Sequence, residues 1–132
     1  MSKSVGNTIL LSDAPDAIAQ KMRGAVTDVQ KVRRNDPGRP EICLVFTYHQ
    51  KFNPGETAEI EAGCRSGALG CVDCKKRFAA NLNKHLEPFR AKRAELASKP
   101  DYVADVLNDG AKRARAIAQQ TMAEVREAMA LP

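Results

Sequence analysis

The sequence has no tryptophan, and two tyrosines and four phenylalanines are its only other aromatic residues. That poverty disfavours a sheet surface that reads RNA by stacking bases on exposed rings. No apolar run approaches the ~20 residues that a helix needs to cross a bilayer, so a soluble cytoplasmic protein without a membrane partner is expected. Nothing at the N-terminus resembles a signal peptide, which removes the oxidising compartments in which disulfides persist. No segment sustains the apolar–polar alternation of a half-buried strand. Cysteine is scarce as well, with four residues, yet all four fall between Cys43 and Cys74.

Those four cysteines, Cys43, Cys64, Cys71 and Cys74, are spaced C-x20-C-x6-C-x2-C. Gly63, Gly67 and Gly70 lie among them and let the backbone turn tightly around a central object. Two disulfides are disfavoured by compartment. Inert buried thiols are the plain reading of a single cysteine, but four gathered at a Gly-rich turn point to a ligand set. A structural zinc takes four thiolates, usually from two C-x2-C knuckles, of which one is present. An iron–sulfur cluster is bulkier and accepts ligands from more scattered positions. Spacing alone leaves zinc and cluster level.

At 132 residues the chain is long enough for one domain with a modest core. Its formal net charge of +5 permits contact with nucleic acid without requiring it. Asp13 and Asp16 around Pro15 mark a helix start, with Asp13 as the cap and Ile18, Met22 and Val26 as one apolar face. Residues 30–39 carry concentrated positive charge without apolar periodicity and read as a solvated connector rather than a nucleic-acid patch. Ile42, Val45, Phe46 and His49 recur at helical steps, which puts Cys43 in a first turn and makes His49 a packing or surface residue, not a ligand. Asn53-Pro54-Gly55-Glu56 is a second capped start, for a helix that stops at Gly63 and delivers Cys64.

Beyond Cys74, Phe78, Leu82, Leu86, Phe89 and Leu96 form a helical stripe that passes Pro88, where a kink is expected. Pro100 opens a short helix that Asn108-Asp109-Gly110 closes. A last helix carries Ile117, Met122, Val125 and Met129. The expectation is an all-α bundle of about six helices with a Cys-lined turn between the third and fourth.

Taken together, these pieces resemble a family. Met1-Ser2-Lys3-Ser4-Val5-Gly6-Asn7-Thr8-Ile9, followed by Leu11-Ser12-Asp13, resembles the signature loop of class I aminoacyl-tRNA synthetases without its leading lysine. Ala25 to Asp28, Gly38 to Glu41, Gly63 to Lys75, and Leu86-Glu87-Pro88 with the basic Arg90 to Arg93 are similar, in that order, to the C-terminal half of bacterial tryptophanyl-tRNA synthetases. The resemblance covers essentially the whole chain. It implies that residues 1–12 are a remnant of the catalytic domain and 13–132 a helical anticodon-binding domain. A subgroup of the family holds a [4Fe–4S] cluster on four cysteines with the same x6 and x2 intervals, which tips the choice from zinc towards the cluster on Cys43, Cys64, Cys71 and Cys74.

By position, the resemblance assigns Lys3 a catalytic ammonium at the phosphates of ATP and Ser2 and Ser4 supporting hydrogen bonds. It also implies tRNA with the tryptophan anticodon as partner, ATP and tryptophan as substrates once the nucleotide-binding half is joined, and a homodimeric complete enzyme. The chain alone is expected to be inactive in activation, because the residues that bind adenine and tryptophan are not in it. The cluster's expected part is architectural, fixing Arg65, Lys75 and Lys76 beside the turn. The competing class is a free-standing iron–sulfur or zinc protein without ligase activity.

Overall fold

The computed structural model describes residues 3–131, with the backbone alone at Lys3. Among them every regular element is helical: α1 (Pro15–Arg23), α2 (Leu44–Phe52), α3 (Thr57–Ser66), α4 (Cys71–Ala97) and α5 (Pro100–Ala128), with 3-10 turns at Lys3–Val5, Pro40–Ile42 and Pro54–Glu56. The all-α class is thus as the periodicity predicts. The chain divides into two compact units, Met1–Arg90 and Ala91–Pro132.

In the first unit, apolar residues from four helices close one core. Ile18 and Met22 come from α1, Val45 and Phe46 from α2, Ile60 from α3, and Phe78, Ala79, Leu82 and Leu86 from α4. Phe78 sits at its centre, stacked on Tyr48 at 5.6 Å and met edge-on by His49 at 5.3 Å. Such ring pairs add to the stabilisation that burial itself gives. Pro15 occupies the first turn of α1, where its missing N–H costs nothing.

The N-cap of α1 is Ala14, not Asp13. The Asp13 carboxylate works backwards, accepting from the Leu10 N–H at 2.8 Å and the Lys21 ammonium at 2.7 Å. Lys21 also donates to Thr8 O at 2.8 Å, so residues 8–13 are tied to α1. Thr8 to Leu11 then wall an apolar cleft of about 260 Å³ with Tyr48, Phe52, Phe78, Leu82 and Leu86. Val26, expected on the buried face of α1, is 68% exposed; α1 has already ended at Arg23, so the helical step no longer applies to it.

α4 runs through Pro88 to Ala97. In the second unit, the two expected helices are one. α5 continues through Asn108-Asp109-Gly110, giving five α-helices among the described residues where about six were expected. A mid-helix glycine costs only about 1 kcal/mol against alanine, and an Asp109–Arg113 pair at 3.0 Å spans the weak point. None of the α5 residues is buried.

Candidate metal centre and basic loop

The four cysteines arrive from three places. Cys43 is the buried junction between the Pro40–Ile42 turn and α2, with extended backbone and not in a first turn, because its N–H is already committed to Pro40 O at 3.0 Å. Cys64 lies inside the last turn of α3, which passes Gly63 and ends at Ser66. Cys71 opens α4, and Cys74 follows one turn later, on the same face. Asn53 is not a conventional cap of α3: it precedes the Pro54–Glu56 turn and gives its side-chain amide to Glu56 at 3.1 Å.

All four cysteines line one cavity of about 20 Å³, together with Thr27, Phe46, Ile60 and Leu69. Burial, then the neighbouring thiols, push the Cys74 thiol up to about 12; burial also raises Cys64, against a downward pull from Lys31. Neutral, buried thiols of this kind are poor nucleophiles. They become thiolates when a cation supplies the compensating charge.

The donor set therefore fits a thiolate-held metal or cluster. The space is tight, since about 20 Å³ holds one water-sized object, and a bulky group enters only with the partly exposed thiols turned outward. Among the described residues no three Cys, His, Asp or Glu donors converge as a single bound ion requires. The thiols are gathered around a space without closing on a point.

The segment over this site is not a free connector. Asp28, 5% exposed, accepts from the Arg39 N–H, Nε and Nη2 at 2.7–3.0 Å and from the Gln30 N–H at 2.9 Å. The Arg39 guanidinium, aided by Gln30 N–H, holds the Asp28 carboxyl well below the usual carboxylate range. Residues 28–39 form a clamped loop in which Lys31 is buried and donates to Asp36 O.

Two glycines seat that loop on the cysteine turn. Gly38 N–H donates to Cys64 O at 2.8 Å, and a Cβ there would stand 2.6 Å from Cys64 Sγ. Gly67 ends α3 with φ +79°, and a Cβ there would stand 2.2 Å from Asn35 O. Only glycine meets both the left-handed backbone and the close approach.

Beside the cavity runs an open groove of about 360 Å³, with Lys31, Arg33 and Arg34 on one side and Gly70, Cys71 and Asp73 on the other. Arg34 is 74% exposed at its side chain and 3.2 Å from Asp73. Cys71 is a wall of both the cavity and the groove.

Of the basic residues singled out in the sequence, Arg65 is engaged with Glu61 at 2.9 Å and Glu41 at 3.1 Å. Lys75 donates to Arg23 O at 3.0 Å, and Lys76 stands 4.0 Å from Asp73. Lys31, Arg33 and Arg34, read in the sequence as part of a charged connector, line the groove. His49 is fully buried, packing as expected, and burial lowers its pKa. Its Nε2 also lies 3.2 Å from Cys74 O and 3.5 Å from Cys74 Sγ, which no local pattern announces.

Ser4 lies in the Lys3–Val5 turn and is itself exposed. Ser2 lies outside the described residues, and the Lys3 side chain does too. No helix among the described residues is long and apolar enough to cross a membrane.

Residues 1–87 match the family model described as tRNA synthetases class I (W and Y). The tryptophan–tRNA ligase of Aquifex aeolicus is 46% identical over 134 residues, covering 100% of this chain and 34% of that protein. The tryptophan–tRNA ligase of Deinococcus radiodurans is 48% identical over 128 residues, covering 96% and 39%. The crystal structure of tryptophanyl-tRNA synthetase from Campylobacter jejuni superposes with a TM-score of 0.84 at 29% identity, covering 99% of this chain and 42% of that one. The chain thus spans little more than a third of the length of these curated relatives. With a family model over most of its length and relatives of one activity along all of it, the chain belongs to the class I tRNA synthetases of the tryptophan and tyrosine group, and its fold is the helical domain of a tryptophanyl-tRNA synthetase.

Proposed function

We propose that this chain is the tRNA-binding helical part of a cytoplasmic tryptophan–tRNA ligase, with Cys43, Cys64, Cys71 and Cys74 holding a [4Fe–4S] cluster that shapes the anticodon-reading surface. The observation that carries this reading is Cys71, which walls both the thiol cavity and the basic groove. A group bound to that sulfur fixes one side of a groove whose other side is Lys31, Arg33 and Arg34. Arg and Lys hold phosphates and so set register, while unstacked bases are read by hydrogen bonds and stacking.

What supports a cluster is the gathering of all four cysteines, spaced C-x20-C-x6-C-x2-C, around one cavity. When bound, such a cluster supplies positive iron centres that keep the four thiolates deprotonated. Asp28 and Arg39 hold the loop closed over Cys64, and α4 presents Cys71 and Cys74 from a single turn.

Residues 1–12 belong, on this reading, to the catalytic part, with Ser2, Lys3 and Ser4 meeting ATP phosphates in a complete, homodimeric enzyme that activates tryptophan.

The test is anaerobic purification followed by filter binding. The expected protein is brown, with broad absorption at about 400 nm from thiolate-to-iron charge transfer, and it binds tRNA of the tryptophan anticodon with an affinity that falls steeply with salt. Cys71→Ser is expected to lose both colour and tRNA preference. Colourless protein with stoichiometric zinc sinks the cluster, and a Cys71→Ser protein that stays folded and keeps its preference for cognate tRNA sinks the link between site and groove.

A further inference from the structure

We propose that His49 is a positioning residue of the metal centre, its single Nε2–H shared between the carbonyl oxygen and the sulfur of Cys74, in a tautomer fixed by Asn53 and Glu56. The inference rests on the reading that the four cysteines hold a metal, and it assigns a role to a residue outside the ligand set.

The His49 imidazole on α2 is fully buried and faces the first turn of α4. Nε2 lies 3.2 Å from Cys74 O, and a carbonyl oxygen only accepts, so Nε2 carries a proton. The same nitrogen is 3.5 Å from Cys74 Sγ. At the other edge of the ring, Nδ1 lies 3.3 Å from Asn53 Nδ2. That atom is the amide nitrogen, because it also meets the Glu56 carboxylate at 3.1 Å, which can only accept. An NH2 group donates, so Nδ1 is the acceptor and the ring proton belongs on Nε2. Both ends of the imidazole lead independently to one tautomer.

The arrangement is built into the sequence by local rules. His49 and Asn53 are four apart and share a face at the end of α2, and the Pro54–Glu56 turn brings Glu56 back to the Asn53 amide. A relay of carboxylate, amide and imidazole therefore ends on the sulfur of one ligand. An N–H aimed at a ligating sulfur draws electron density from it, and such outer contacts orient ligands and tune the bound metal. Phe78, edge-on to the ring at 5.3 Å, explains why an aromatic shape is needed there but not why the shape should carry nitrogens.

Two substitutions separate donor from shape. His49→Phe keeps an aromatic body and removes the N–H, whereas His49→Gln keeps an amide N–H near the position of Nε2 and gives up the ring. The probe is cobalt(II), titrated anaerobically into the full chain and followed by its thiolate-to-cobalt charge-transfer band, with helicity checked by circular dichroism. Expected for His49→Phe are a loss of cobalt affinity of about 10–100-fold, the usual cost of an outer-contact substitution, and a band moved to lower energy. His49→Gln is expected to retain affinity within a few-fold and the band position.

A His49→Phe protein with wild-type affinity and band overturns the proposal, and so does equal loss in both variants. Should either variant fail to fold, cadmium-loaded wild-type protein decides by NMR. The expected spectrum has the His49 proton on Nε2, with a coupling to cadmium carried through the Cys74 sulfur. A proton on Nδ1, or no coupling, overturns it. Wild-type protein that binds neither cobalt nor cadmium removes the metal centre and this role with it, whereas bound metal indifferent to His49 removes only this role.

Discussion

The unit Met1–Arg90 and the unit Ala91–Pro132 carry apolar stripes that look alike in sequence and end differently in space. In the first, Ile18, Ile60 and Phe78 are at most 1% exposed; in the second, Ile117 and Met122 are 69% and 47% exposed on a helix with no buried residue. A helical period therefore establishes that a stripe exists and not that anything covers it. The first unit draws its stability from packing, the usual source of helix stability in proteins. α5 relies on its own backbone ladder and on local pairs such as Asp109–Arg113, each contributing only a few tenths of a kcal/mol.

The sharpest way to break this contrast is to empty the centre of the packed unit. Phe78→Ala is expected to cost about 3–5 kcal/mol, as core aromatic truncations do, measured by urea unfolding. A loss no larger than that of Ile117→Ala would erase the distinction between the units.

Next in size is the seat of the basic loop. Gly67→Ala forces a side chain into left-handed backbone and against Asn35 O, with an expected loss of more than about 1 kcal/mol from the backbone alone. Thermal unfolding unchanged by this substitution would show that the loop is not held where the contact places it.

Asp28→Asn acts through pH. The Asp28 carboxyl is held below its ordinary value by Arg39, so on acidification the unfolded chain takes up this proton first. The stabilisation is fully present above the unfolded carboxyl range of about 4 and drains away below it. The stability gap between wild type and variant should be constant from neutral pH to about 5 and narrow below about 4. A gap that holds unchanged into that acid range contradicts the clamp. Smallest of all, Ile117→Ser on α5 is expected to move stability by less than about 0.5 kcal/mol; a core-sized loss would reveal a covered face.

What was legible in the sequence was local. Pro15 as a helix start, the passage of α4 through Pro88 and the turn that groups Cys64, Cys71 and Cys74 all depend on neighbours within a few turns. What was illegible depends on distant partners. Residues 30–39 are largely exposed, as the sequence suggests, but the anchors that clamp them, Asp28 excepted, are Cys64, Gly67 and Gly70, some 30 positions on. Val26 fits the α1 period only for a helix that has not yet ended. The Asn108-Asp109-Gly110 stop failed because turn residues are weak against an otherwise helical flank. His49 was correctly placed as a packing residue, but its approach to Cys74 joins two helices 25 positions apart.

The contact of Gly38 with Cys64 also gives the loop a single reporter. A Cβ on Gly38 would stand 2.6 Å from the Cys64 sulfur, and the Gly38 amide is bonded to the same residue's carbonyl. The Gly38 amide is therefore a probe of the clamp: its exchange with solvent should follow the opening of this one hydrogen bond, and Asp28→Asn, which loosens the loop from the other side, should speed it.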